Sequence, residues 1–126
     1  MNVSKTNEPN SNSPMIEMFS HLGNSCTVPL IFALGENSYN SNISELRKSI
    51  SYSDGIHVSD SKVSRCLSNL SQIGLVEGSV HNNPQMKSEY SLTAMGQQLY
   101  KHLLQIRSLT ERYNADGEVI DNISAC

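Results

Sequence analysis

Three cysteines and four histidines hold most of this chain's capacity for bond-making chemistry, and their spacing restricts it. Cys26, Cys66 and Cys126 lie too far apart for a zinc cluster, and three is an odd number for a disulfide framework. His21, His57, His81 and His102 are scattered without metal-ligand spacing. Cys26 precedes a predicted helix, where a thiol can have a lowered pKa and answer an oxidant or small-molecule effector. The competing reading is a small buried hydrophobe. Cys66 falls at the margin of an apolar helical stripe and reads as structural, while Cys126 ends a polar tail. There is no Gly-rich phosphate loop, no Ser-His-Asp ordering and no convincing pair of acids, so we expect neither catalysis nor a cofactor nor a metal.

Recognition is the better-supported chemistry. Over residues 60–73 a helical projection gathers Val63, Leu67 and Leu70 on one side, with Cys66 and Ile73 at its margin. Ser61, Arg65, Ser68 and Gln72 centre the other side, flanked by Lys62, Ser64 and Asn69, with Asp60 its lone acid. Arg can bridge guanine O6 and N7, and Gln or Asn can pair with adenine. Serine hydroxyls and helix N-terminal amides can hold phosphate. A plain solvated face has the same composition, so the neighbouring elements must decide.

Those elements belong to one domain's length of chain, 126 residues against the usual ~100–150. Charged residues reach only 17%, and 21 Ser and 13 Asn fill the difference. The net charge is −3 and the pI about 5.7, without the basic excess usual in nucleic-acid binders. From Ile43 to Ser91, Arg47, Lys48, Lys62, Arg65 and Lys87 face Glu45, Asp54, Asp60, Glu77 and Glu89, five against five. Few cations mean weak nonspecific binding and a shallow salt dependence, so a DNA reader of this kind needs two copies. No apolar run is long enough to span a membrane, and the first residues lack a secretory apolar segment, which makes the cytoplasm the default compartment.

Residues 1–14 are read as a flexible arm and residues 114–126 as an acidic tail around a domain at 15–113. Met15, Met18, Phe19 and Leu22 predict a first helix, closed by Gly23. Thr27 or Ser25 can cap a second, Leu30–Leu34, apolar on every side and stopped by Gly35-Glu36-Asn37. Ile43, Leu46 and Ile50 mark a third, with Asn40, Ser41 or Asn42 as its cap and a turn at Ser53-Asp54-Gly55. Ser59 caps the fourth and Gly74 ends it. Strands are expected at 75–80 and 88–92 around a turn at 81–86, then a long helix capped by Thr93. Two short helices, a turn between them and a hairpin after them describe a winged helix-turn-helix: mainly α, with a small β-hairpin wing. On the wing, His81 and Lys87 are the candidates for backbone or minor-groove contact.

At this level the chain resembles the HxlR-type transcriptional regulators. The resemblance rests on Gly23–Ile31, on Ile43-Ser44-Glu45-Leu46-Arg47, and on Val58-Ser59 with Val63-Ser64-Arg65-Cys66-Leu67. Its most specific parts are Gly74-Leu75-Val76-Glu77 and Glu89-Tyr90-Ser91-Leu92-Thr93 followed by Gly96. It spans about residues 13–113 and implies a homodimeric regulator that reads a pseudo-palindromic site in double-stranded DNA. Residues 59–73 would enter the major groove and 75–92 form the wing, placing Ser59, Ser61, Lys62, Ser64, Arg65, Ser68, His81 and Lys87 at DNA. N- and C-terminal helices would dimerise. Leading into and along the last helix, Leu92, Leu99, Ile106 and Tyr113 recur every seven residues, so with Phe19 of the first helix Leu99, Leu103, Ile106 and Tyr113 are the expected dimer contacts. Tyr100 and Leu104 add a second apolar face, more than one small core should need. The chain departs from the family at Ser13-Pro14, where some members carry a redox-sensing Cys-Pro, and at Cys26, where the family has Trp. Basic residues are also sparse. Two other readings stay open: a winged-helix protein-interaction adaptor with little DNA binding, and a ligand- or redox-responsive switch using Cys26.

Overall fold

The computed structural model describes residues 12–37, 41–79 and 88–115. Among the described residues five helices and three short strands follow in the order α1 (Ser13–Leu22), α2 (Thr27–Glu36), β1 (Ser41–Asn42), α3 (Ile43–Asp54), α4 (Asp60–Gln72), β2 (Val76–Ser79), β3 (Glu89–Leu92) and α5 (Ala94–Ala115). The expected fold class is found: mainly helical, with a small antiparallel sheet in the winged helix-turn-helix arrangement.

The core is built where apolar spacing demanded it. From α2 come Leu30, Ile31, Ala33 and Leu34, from α3 Leu46 and Ile50, and from α4 Val63, Cys66, Leu67 and Leu70, all buried together with Leu75, Val76 and Leu92. As expected, α2 is the central helix, because its apolar residues point in every direction. It ends within the expected stop, Gly35-Glu36-Asn37. Its last residue is Glu36, and the missing side chain of Gly35 admits the ring of Tyr100 from α5. Tyr100 also meets Phe32 edge-on, with centroids 5.8 Å apart, so part of the surplus apolar face of α5 is consumed within the chain. Leu103 is likewise buried in this core, against its expected place in a dimer contact, because α5 packs that side onto α2.

The caps show where local chemistry decided an end. Asn42 caps α3 through a reciprocal box: its Oδ1 accepts from the Glu45 N–H at 2.9 Å, and its own N–H donates to Glu45 Oε1 at 3.0 Å. Gly55 closes α3 at φ +68°, and Gly74 follows α4 at φ +85°, conformations that strain any side chain. Ser59 caps α4 by accepting from the Lys62 N–H at 3.1 Å. Neither Ser25 nor Thr27 caps α2. Asn24 Oδ1 instead accepts from the Cys26 N–H at 3.1 Å, and Thr27 is buried with its hydroxyl 3.3 Å from Cys66 Sγ. Gly23 follows α1 in right-handed helical geometry, so its left-handed freedom is not used there. Ser13 and Pro14, assigned by the sequence to the arm, begin α1, since proline suits a helix's first turn. At the far end α5 takes in Asn114 and Ala115 from the expected tail.

The sheet has the order β1-β3-β2, all antiparallel. Val76 pairs with Leu92 and Gly78 with Tyr90, the hairpin anticipated from the sequence, whose expected turn at 81–86 lies outside the described residues. The third strand, Ser41–Asn42 against Tyr90 and Glu89, was not anticipated. Two residues of Ser and Asn carry no strand periodicity.

Candidate nucleic-acid interface

The candidate interface is organised by a junction between the two sequence segments most specific in the resemblance. Thr93 takes the N-cap of α5, its Oγ1 accepting from the Gly96 N–H at 3.1 Å and donating to the Gly74 carbonyl at 2.6 Å. The Thr93 N–H donates to the Leu75 carbonyl at 3.0 Å, and Leu75 N–H to that of Leu70 at 3.0 Å. Gly96 packs so closely that a β-carbon there would stand 2.1 Å from the Leu75 carbonyl oxygen. The end of α4, both strands of the wing and the start of α5 are thus fastened at one point.

On this frame α4 presents the projected surface. Val63, Leu67 and Leu70 are buried, and Cys66 is buried with them rather than marginal. Ser61, Lys62, Arg65, Ser68, Asn69 and Gln72 are exposed and Ser64 is half-buried; Ser59 is exposed at the cap. A groove of about 460 Å³ runs between this face and the wing, bordered by Ser64, Ser68, Gln72, Gly78 and Tyr90. Gly78 is needed here because a β-carbon would come within 2.9 Å of the Tyr90 ring. His81 and Lys87 lie outside the described residues, as do Asn40 and Cys126.

Asp60, the lone acid of this surface, is not free. Its Oδ1 accepts a hydrogen bond of 2.6 Å from Arg47 Nε on α3. That pair is internally neutral, and setting it aside leaves four cations against four acids from Ile43 to Ser91, with Lys62 and Arg65 the remaining charges of α4. Sequence reasoning omitted Arg47, because thirteen residues separate it from Asp60.

Cys26 lies in the core behind this surface. It is fully buried, and its thiol pKa is pushed up from 9.0 to about 11 by burial first and then by the neighbouring Cys66 thiol, with the Lys62 ammonium pulling the other way. At neutral pH it is a protonated thiol inside the core, which favours the small-hydrophobe reading. A groove between α2, α3 and α5, about 240 Å³, lies elsewhere, where Arg107 stacks 4.4 Å over Phe32 and pairs with Glu36 at 3.6 Å.

No group of three or more potential metal ligands occurs among the described residues, and no helix there is long and apolar enough to cross a membrane.

The helix pair, its outward polar face and the attached wing define a winged helix-turn-helix of the kind found in transcriptional regulators. The HxlR-like helix-turn-helix model matches residues 28–118, and the chain belongs to that family, one of regulators rather than enzymes. A solved structure of a candidate HxlR-family transcription factor from Thermoplasma volcanium is 31% identical, covering 75% of this chain and 82% of the other at TM-score 0.59. The reduced form of the transcriptional regulator YodB from Bacillus subtilis is similar at 22% identity, covering 79% of this chain and 91% of its own, TM-score 0.65. A structure assigned to the MarR family from Enterococcus faecalis shares the fold at 20% identity, covering 89% and 97% of the two chains, TM-score 0.69. Comparison with curated protein sequences returns no match.

Proposed function

We propose that the chain acts in the cytoplasm as a homodimeric DNA-binding transcriptional regulator, with α4 in the major groove and the wing on the flanking backbone. The observation that carries this reading is the sorting of α4. Every large apolar residue of the helix is inside, while Ser61, Lys62, Arg65, Ser68 and Gln72 stand together in solvent beside a wing. In this reading Arg65 and Lys62 approach base edges or phosphates, and Ser59, Ser61, Ser64 and Ser68 supply hydroxyls. His81 and Lys87 reach the backbone from the wing.

Dimerisation is supported by apolar surface that a single copy leaves wet. Helix α1 buries no residue fully, and Ile16 and Phe19 are 64% and 55% exposed. On α5, Ile106 and Leu109 are 49% and 42% exposed, with Leu99 and Tyr113 half-buried. A second copy laid against α1 and α5 would cover both stripes. It would also set two α4 helices at neighbouring turns of a pseudo-palindromic duplex.

The test is to sequence genomic fragments retained by the purified protein at low ionic strength. Enrichment of sites with paired half-sites is expected, and Arg65→Ala should lose about 1–3 kcal/mol at such a site by fluorescence anisotropy. If no fragment is retained at any salt concentration, the protein-interaction adaptor becomes the better reading.

A further inference from the structure

We propose that Arg47 is itself a phosphate-contacting residue of this interface and that Asp60 is the residue that aims it. The inference rests on the DNA-reading function above. Arg47 lies on the first helix of the helix-turn-helix and Asp60 is the first residue of the second, so their bond spans the joint between them. A guanidinium has five N–H donors. Asp60 takes the one on Nε, at 2.6 Å, and is the only side-chain partner of Arg47 among the described residues. The terminal amino groups therefore remain available, on a plane that the carboxylate holds in orientation.

The pair's setting gives that orientation its meaning. The side chains of Arg47 and Asp60 are 35% and 60% exposed, and ion pairs this exposed contribute little to folding. Asp60 is favoured where it stands by the positive end of α4. It also borders a cleft of about 350 Å³ shared with Ile43 and Ser44 at the start of α3 and with Ser88 and Tyr90 of the wing. A nucleic-acid strand crossing the beginning of α4 meets this edge before it reaches Arg65. Unpaired, Asp60 would repel phosphate there. Paired, it cancels one charge and turns the remaining donors of Arg47 outward, in an interface otherwise short of cations.

The experiment titrates a retained genomic duplex and a scrambled duplex over a series of KCl concentrations. Wild type is compared with Arg47→Ala, Arg47→Lys, Asp60→Asn and Arg65→Ala, with circular dichroism melts to verify folding. Arg47→Ala should weaken cognate binding about 5- to 10-fold and reduce the salt slope by about one. Arg47→Lys should keep the slope but lose several-fold at the cognate site, because an ammonium lacks the fork that binds two partners at once. Asp60→Asn should bind scrambled DNA more tightly while its cognate-to-scrambled ratio falls several-fold. Arg47→Ala with wild-type affinity and slope, while Arg65→Ala weakens binding, overturns the Arg47 contact alone. An Asp60→Asn protein that gains equally on both duplexes overturns the aiming role. A wild type that retains no duplex at low salt removes the DNA-reading function and this inference with it.

Discussion

The ring of Tyr100 occupies the space that a side chain on Gly35 would need: a β-carbon there would stand 2.5 Å from Tyr100 Cδ1. This contact seats the long C-terminal helix on the central one, and Phe32 and Arg107 complete the stack. Gly35→Ala should therefore destabilise the chain by about 1–3 kcal/mol in urea unfolding, even though alanine is the better helix former. Tyr100→Leu should restore part of the loss in the double variant, since the clash is with a ring that can be removed. Additive losses would show that the two residues do not share this space.

Gly96 makes the harder version of the same contact. Its neighbour is the carbonyl of Leu75, at 2.1 Å from a built β-carbon, and a backbone held by Thr93 cannot swing aside as a ring can. Gly96→Ala should cost more than Gly35→Ala, at or above the top of that ~1–3 kcal/mol range. It should also disturb the wing, visible as faster amide exchange of Val76 and Leu92.

The Cys26 thiol ionises near pH 11 in the folded chain and near 9.0 ordinarily. The folded state thus keeps its proton after the unfolded chain has begun to lose it. The contribution of this thiol is fully present below pH 9.0, declines as pH rises through the window, and is lost above about 11. Denaturant titrations should show stability falling across that window, with a shallower fall in Cys26→Ala after its constant cavity cost is subtracted. Native Cys26 should also resist iodoacetamide at pH 7. Rapid alkylation there would return the reactive-thiolate reading to the front.

Ile16 and Ile106 test the dimer without touching the core. Both side chains are largely exposed in the single chain, at 64% and 49%. Ile16→Glu or Ile106→Glu should therefore leave the monomer folded while placing a desolvated charge in the interface. Light scattering coupled to size exclusion should report a dimer for wild type and a monomer for each variant, with DNA affinity falling steeply. A monomeric wild type would remove the homodimer from the proposed function.

How much of this was legible in the residues depends on how local the cause was. The apolar period of α4 separated buried from exposed positions because one helix's geometry settles that question. Ser59, Thr93, Gly55 and Gly74 marked their ends because a cap is decided within a few residues. The strand at Ser41–Asn42 left no such mark, since its pairing with Tyr90 and Glu89 is made by chain far downstream. Gly35-Glu36-Asn37 marked the end of α2, but a glycine in sequence does not say that it also makes room for a ring.

Amino-acid order alone determined the class of fold, the core stripe of α4 and the polar face opposite it, because short-range periodicity and capping are encoded where they act. Tertiary packing decided that Leu103 and Tyr100 are used within the single chain while Ile106 and Phe19 are left exposed on it, and that Cys26 is a neutral thiol. It also decided that the acid at the start of α4 is matched by Arg47. Each of these is set by which distant side chain arrives within a few ångströms, and that distance is a property of the assembled chain.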